Sequence, residues 1–333
     1  MDMKAIVVSE FGDETVLVEQ SISLPHPEQG EVRIKLFAAG VNPVETYIRS
    51  GDYPGLPSLP YTPGNDGAGV VDAVGEGVES LEKGERVFVA AALAKRNTGT
   101  YAEYVVCDAS AVQALPDALS FEAGAGLGTP GLAAGDALFV RAAIKPGEIV
   151  LVHGASGGVG MLAVQLARRR GAIVFGTAGD REGLALVARL GAHRTFNHRE
   201  EGYIDDIVAA THGRGVDAIL ETNAHINLMK DLSMTGHRGR IVVVGSRGTI
   251  EFDPRATMRT DTSVLGMGAA NMSEAELSQV MHALGAALET GMEVVVDRAF
   301  ALEDASKAHE AVTEHGKNGK IVLTIRHAPD TAD

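Results

Sequence analysis

The sequence predicts an α/β protein in which a doubly wound parallel sheet follows a mostly β region. Two changes of rhythm carry that reading. Up to about residue 120 the chain shows short strand patterns separated by Gly and Pro turns. From Glu148 onward, short apolar runs alternate with helical stretches, the order of a parallel sheet with right-handed crossovers. At that change stands EIVLVHGASGGVG, Glu148 to Gly160, which reads as a buried strand, a glycine turn and the start of a helix.

Taken in order, Lys4 to Val8 is a first strand. Glu31 to Ala38 alternates, with Val32, Ile34 and Leu36 on one face and Arg33 and Lys35 on the other. The turn Gly40-Val41-Asn42-Pro43 leads into a short helical piece through Tyr47, and Pro54, Pro57, Pro60 and Pro63 keep the next stretch extended. Ala68 to Val74, Arg86 to Ala90 and Tyr101 to Val106 are further short strands, a spacing that suggests a partly closed β-barrel. Phe121 to Phe139 is helical but interrupted by glycines. Strands are then expected at 148–153, 172–177, 195–197, 216–221, 240–245 and 263–267, with helices at 159–170, 182–190, 203–211 and 226–232. A helix over Ser273 to Leu288 and a strand–helix–strand tail over 293–326 complete the chain.

The glycine turn has a mechanical meaning. Read from Ala155, it is A-x-G-x-x-G, a dinucleotide fingerprint with alanine at its first small position. Small residues let the chain turn tightly, let a pyrophosphate approach the backbone, and let the helix pack on the strand. The helix N-H groups then face the phosphates. The same letters also fit G-x-S-x-G, the nucleophile elbow of a hydrolase, with Ser156 as nucleophile and Asp217 and His237 or His309 following in a permissible order. No HGGG-type oxyanion segment accompanies it, and a hydrolase has no use for a third small position at Gly160.

Composition narrows the classes. The chain has 333 residues, enough for two domains, and 45% of them are hydrophobic. A formal net charge of -15 disfavours nucleic acid or an anionic membrane as the main partner. The single cysteine, Cys107, excludes an intrachain disulfide, and no apolar run is long enough to span a bilayer. With a strand pattern starting directly after Met1, the expectation is a cytoplasmic protein.

Several blocks together resemble the zinc-free, zeta-crystallin-like quinone oxidoreductases of the medium-chain dehydrogenase/reductase superfamily: GVNPVETYIRSG at 40–51, LPYTPGNDGAGV at 59–70, YAEY at 101–104, LVHGASGGVG at 151–160, FNHRE at 196–200 and VVVGSRGTIE at 242–251. The resemblance implies a GroES-like β-barrel catalytic domain, 1–122 and 271–333. Into it is inserted a Rossmann domain, 123–270, that binds NADPH, with the cofactor in the cleft. It implies pyrophosphate contacts at Ser156, Gly157, Gly158, Val159 and Gly160, ribose contacts at Gly179 and His198, and a further contact at Asn227. The nicotinamide half is implied along Val244, Gly245, Ser246, Arg247, Met267, Gly268 and Ala269. Independently, ligands of open α/β sheets bind at the carboxyl ends of the strands, where these residues fall. Asn42 and Tyr47 match family positions beside the nicotinamide and the substrate.

Zinc-dependent relatives carry a cysteine at the position of Asn42 and His-Glu at Asn65-Asp66, together with a four-cysteine lobe. One cysteine cannot build that lobe, and asparagines are poor zinc ligands, so no metal is expected. His153, His212, His225 and His282 read as packing or surface histidines. Where many relatives have a threonine near the nicotinamide, this chain has Gly131-Leu132-Ala133; Gly131 and Gly135 replace bulkier residues and suggest a wider or more mobile cleft. The implied activity is transfer of reducing equivalents from NADPH to a quinone without metal. Reduction of an enal or enone double bond is an alternative, as is an NADPH-binding protein with a structural or RNA-binding role. A homodimer or homotetramer is the family expectation, with Ser263 to Met267 as an edge for pairing.

Overall fold

The computed structural model describes residues 1–326. The chain folds as two compact units. The first comprises Met1–Thr129, Val294–His315 and the stretch from Gly319 onward; the second comprises Pro130–Glu293 and Gly316–Asn318.

In chain order the first unit contributes strands β1 (Asp2–Val7), β2 (Val18–Ser23), β3 (Glu31–Val41), β4 (Asp66–Val74), β5 (Arg86–Ala90), β6 (Tyr104–Asp108) and β7 (Val112–Ala114). The second contributes β8 (Ile149–Val152), β9 (Ile173–Ala178), β10 (Arg194–Asn197), β11 (Val216–Glu221), β12 (Thr235–Val243) and β13 (Ser263–Gly266). The tail returns β14 (Val296–Ala301) and β15 (Lys320–Thr324) to the first unit.

The alternation of Glu31 to Ala38 becomes the longest strand of the first unit, because β3 has partners along its whole length. It pairs antiparallel with β4, with β6 at its start and with β15 at its end. The sheet runs β14-β15-β3-β4-β5-β7, with β6 beside β3. Val32, Ile34 and Leu36 are fully buried in a core shared with Ile6, Val87 and Leu323. Each such side chain contributes roughly 1.5–3 kcal/mol on leaving water.

The second unit is a six-stranded sheet in the order β10-β9-β8-β11-β12-β13, parallel throughout. The four-residue apolar run of β8 is buried at every position, as the centre of a two-faced sheet requires. β10 and β13 are the sheet's two edge strands. No helix of the described residues is long and apolar enough to cross a membrane.

The compact units divide after Thr129 and Glu293, a few residues past the expected 122/123 and some twenty past the expected 270/271. The helix Glu274–Glu289 belongs to the second unit, where the Gln165 side chain bonds the Glu293 backbone through both its amide nitrogen and its oxygen, at 2.9 and 2.8 Å. The glycines Gly131 and Gly135 do not widen a cavity. A Cβ there would lie 2.9 Å from Leu284 Cδ2 and 2.4 Å from Val280 Cγ1, so they let that same helix pack closely.

Candidate functional site

In the second unit all strands point the same way, so their carboxyl ends form one edge. The strand order reverses between β8 and β11, the switch point where open α/β sheets bind ligands. The glycine turn follows β8. Gly154 takes φ +59°, and a Cβ on Gly160 would fall 2.2 Å from the Gly154 carbonyl oxygen, so the third small position is obligatory. Gly157 is the N-cap of the helix Gly158–Arg169; a Cβ there would meet nothing closer than 3.4 Å, which leaves a free approach to the helix start. That is the shape a pyrophosphate needs. Ser156 is buried, and its Oγ donates to the Lys317 carbonyl at 3.4 Å.

The neighbouring strand ends carry the other expected residues. Gly179 follows β9, and a Cβ on it would stand 2.9 Å from Arg199 Nε and 3.0 Å from His198 Nε2. The guanidinium of Arg199 and burial together push the His198 imidazole below its ordinary pKa, burial first. Asp180 acts on this pair: its carboxylate opposes the fall of the His198 pKa, and the Gly183 N-H, with Asn318 and Arg199 adding, holds its own pKa below the ordinary carboxylate range. Its Oδ1 caps the helix Arg181–Arg189 by accepting the Gly183 N-H at 2.7 Å, and it also accepts Asn318 Nδ2 at 3.2 Å. Asn227 follows β11; its Nδ2 donates to Glu221 Oε1 at 3.4 Å. Val244 and Gly245 both donate backbone N-H groups to the Glu221 carbonyl, at 2.8 and 3.3 Å. Ser246 Oγ donates to the Gly248 carbonyl, and the Arg247 N-H donates to His225 Nδ1. Met267, Gly268 and Ala269 follow β13, with the Met267 N-H on the Val243 carbonyl at 3.1 Å. The structure therefore brings the expected residues of 156–269 to one edge of one sheet.

The hydrolase alternative fails on topology. Ser156 lies beyond the carboxyl end of β8, whereas Asp217 is the second residue of the parallel strand β11, at the opposite edge. Asp217 accepts the Ile149 N-H at 2.7 Å and both arms of Arg214. His309 belongs to the first unit, buried between Tyr101 Oη at 3.1 Å and Arg49 at 3.4 Å; burial pulls its pKa down to about 3.

In the first unit Asn42 is buried at the N-terminus of the helix Pro43–Ser50. Both of its amide hydrogens are engaged, on Glu45 Oε1 at 3.1 Å and Asp66 Oδ2 at 2.7 Å, and its Oδ1 accepts from the Lys320 ammonium. Glu45 Oε2 accepts the Asn42 backbone N-H at 2.6 Å, one half of a capping box. Burial raises the Glu45 carboxyl to about 7, with Asp66 adding to it. Asp66 Oδ1 accepts both the N-H and the hydroxyl of Thr129 at 2.6 Å. An ammonium thus fills the centre of this polar set between the Asn42 amide and the Asp66 carboxylate, and the amides of Asn42 and Asn65 stand where thiolate and imidazole ligands would suit zinc better. Tyr47 is half-buried on the same helix.

Sequence reasoning missed three features. Asp66 and Lys320 had no local signal, because they reach Asn42 from 24 and 278 positions away, whereas the Asn42–Glu45 capping box spans three residues and is visible in the sequence. Tyr61 lines a pocket of about 850 Å³ with Glu45, Ile48 and Asn65; its Oη is buried without a partner, and burial lifts its pKa to about 12. His153, read as an ordinary packing histidine, is buried within a cluster formed with Asp231, Glu221 and Thr177.

Comparison with known proteins agrees with this geometry. A family model described as zinc-binding dehydrogenase matches residues 158–286, and one described as alcohol dehydrogenase GroES-like domain matches residues 28–117. The chain is 46% identical over 326 residues to a quinone oxidoreductase of Homo sapiens, covering 97% of this chain and 98% of that one. A mycobacterial protein solved in complex with NADPH aligns with a TM-score of 0.86 at 30% identity, covering 97% of this chain and 99% of the other. The CurK enoyl reductase aligns with a TM-score of 0.86 at 25% identity, covering 98% and 99%.

Proposed function

Since this chain belongs to the quinone oxidoreductases of the medium-chain dehydrogenase/reductase superfamily, we propose that it is an NADPH-dependent, zinc-independent oxidoreductase whose acceptor is a quinone. The observation that carries the cofactor assignment is the common edge of six parallel strand ends around an open glycine turn.

On this reading Ser156, Gly157, Gly158, Val159 and Gly160 hold the pyrophosphate with backbone N-H groups. Gly179 and His198 border the adenosine ribose. Arg199 beside them supplies a cation for a 2'-phosphate, against the nearby helix-capping carboxylate of Asp180, which also interacts with Arg199. Asn227, Val244 to Arg247 and Met267 to Ala269 orient the nicotinamide half. When bound, NADPH supplies a hydride, and a quinone that takes it becomes a delocalised oxyanion that water can protonate. Tyr47 then serves the acceptor with a flat apolar face and one hydroxyl rather than as an obligatory acid. Asn42 acts through the helix start that it fixes, since its amide is already engaged. The zinc-free assignment is supported by the donor chemistry around Lys320. The protein is expected to work in the cytoplasm as a homodimer or homotetramer.

A second reading, reduction of an enal or enone double bond, is favoured by the likeness to an enoyl reductase. The experiment is NADPH and NADH oxidation by the purified protein against a panel of quinones and enals. Turnover of quinones with NADPH at the highest kcat/KM is the expected result. Turnover confined to enals would replace the first reading with the second, and no oxidation of either nucleotide would overturn both.

A further inference from the structure

Beneath the glycine turn lies a buried ionisable cluster to which the proposed reaction assigns no role. His153 closes β8, Glu221 closes β11, and Asp231 stands on the helix Ala224–Met234. His153 is 2% exposed, and Glu221 and Asp231 are fully buried. His153 Nε2 lies 3.0 Å from Asp231 Oδ1 and 3.8 Å from Glu221 Oε2. On its other side His153 Nδ1 lies 3.2 Å from Thr177 Oγ1 at the end of β9, and Thr177 Oγ1 in turn accepts the Gly154 N-H at 3.2 Å.

Glu221 is the hinge pin of this edge. Its Oε1 accepts the Asn223 N-H and Asn227 Nδ2, and its backbone carbonyl accepts the N-H groups of Val244 and Gly245. One residue therefore holds together the two loops that follow β11 and β12. Yet Glu221 Oε2 and Asp231 Oδ2 are buried and have no hydrogen-bond partner. Two bare carboxylate oxygens in a dry site would each cost the full desolvation penalty. One ligand atom from each of His153, Glu221 and Asp231 lies within 4.8 Å of the others, so the two carboxyl groups are close neighbours in the same buried space. One proton resolves both vacancies, giving Glu221 a hydrogen to donate and Asp231 a hydrogen to accept. With His153 as imidazolium on Asp231 Oδ1, the cluster is then electrically neutral.

We propose that Glu221 is a positioning residue that works in its protonated form, sharing a proton with Asp231, and that loss of this proton loosens the cofactor-binding edge. The inference rests on the dinucleotide reading of that edge. The charged and titratable groups that face the cluster are His153 from β8, Asp231 and Lys230 from the helix Ala224–Met234, His198 from beyond β10, and Tyr203 from the helix Tyr203–Ala210. Burial raises the Glu221 carboxyl to about 7, and the bond to Asp231 holds His153 in its charged form against burial. Both groups have folded pKa values above their unfolded ones. For Glu221 that stabilisation is complete below its unfolded value and is lost as pH rises from there through about 7, and for His153 it is lost as pH rises through that group's own raised value.

The test compares the wild-type protein with Glu221→Gln, which keeps a donor toward Asp231 at every pH. First, an infrared difference spectrum of the cofactor-free protein near neutral pH is expected to show a protonated buried carboxylic acid that Glu221→Gln lacks. Second, the thermal midpoint of the cofactor-free wild type is expected to fall as pH rises from 4.5 to 8.5, more steeply than that of Glu221→Gln, with the difference between the two proteins developed by about pH 7. Third, NADPH affinity is expected to fall over the same range in the wild type, by at most about tenfold per pH unit, the limit for one proton. Glu221→Gln is expected to keep its low-pH affinity. No acid band, parallel pH profiles in the two proteins, or a stoichiometric metal ion held by the cluster would overturn the proposal. If NADPH binds neither protein while the first two results hold, the cofactor reading fails and the protonated cluster stands. Should Glu221→Gln not fold, the same spectrum of Glu45→Gln decides, since Glu45 is another carboxyl that burial raises to about 7: an acid band that persists there supports the protonated cluster, and its disappearance overturns it.

Discussion

Lys320 Nζ, on β15, lies 3.5 Å from Asp66 Oδ2, on β4, and the two side chains meet over Gly40 of the strand between them. A Cβ on Gly40 would stand 2.1 Å from the Ala125 carbonyl oxygen, 2.9 Å from Asp66 Cβ and 3.0 Å from Lys320 Cε, so only glycine fits beneath the pair and that carbonyl. Burial lowers the Lys320 pKa, and Asp66 opposes that shift. Removing one partner leaves the other charge buried and unpaired, which costs about 3–5 kcal/mol. Lys320→Met and Asp66→Asn are each expected to lose about that much stability in denaturant unfolding, and the double variant to lose less than the sum. Single-variant losses below about 1 kcal/mol would show that the pair is not a buried ion pair in solution.

The same ammonium bears on metal. With Asn42 and Asp66 already committed to Lys320, activity is expected to survive long dialysis against a strong chelator, with the thermal midpoint unchanged. Zinc found at one equivalent and removed together with turnover would refute the zinc-free assignment.

Cofactor preference is expected to follow Arg199. A charge-assisted hydrogen bond to a phosphate is worth about 1.5–3 kcal/mol, or roughly ten- to a hundredfold. Arg199→Ala is therefore expected to lower kcat/KM for NADPH by about that factor while leaving NADH nearly unchanged. A wild-type preference for NADH, or an equal loss with both nucleotides, would remove the 2'-phosphate from the neighbourhood of Gly179 and His198.

The fold was legible wherever burial imposed a period. The four apolar residues of β8 and the alternation of β3 announced themselves because each strand has one or two buried faces. β2 did not, since most of Val18–Ser23 is exposed and its burial follows no core pattern. The first residues of β12, Thr235 to Gly239, were also missed; two glycines and an arginine at φ +57° there hide the strand. The residues proposed for the cofactor could be placed together because they follow the ends of parallel strands, which sequence can number. The charged clusters could not. Asn42 meets Asp66 across 24 positions and Lys320 across 278, and His153 meets Asp231 across 78. Such encounters depend on strand order, so no local pattern records them. Gly131 and Gly135 show the converse error: a missing side chain suggests space, but here the helix Glu274–Glu289 fills it.

Tyr47 is the remaining test of mechanism. It lies half-buried on the helix Pro43–Ser50, whose start is fixed by Asn42 and Glu45. Its proposed task is to offer a planar acceptor an apolar face, with the hydroxyl as an orienting group. If water protonates the reduced quinone, the hydroxyl is dispensable. Tyr47→Phe is then expected to retain most of its turnover, and Tyr47→Ala to raise KM for the quinone through loss of the ring. General acid catalysis by a side chain is worth about 100- to 10,000-fold. A fall of that size in Tyr47→Phe, with NADPH binding intact by fluorescence titration, would identify the tyrosine as the acid. It would also favour the enal-reductase reading, because the carbon of an enolate needs a placed proton more than the oxygen of a hydroquinone anion does.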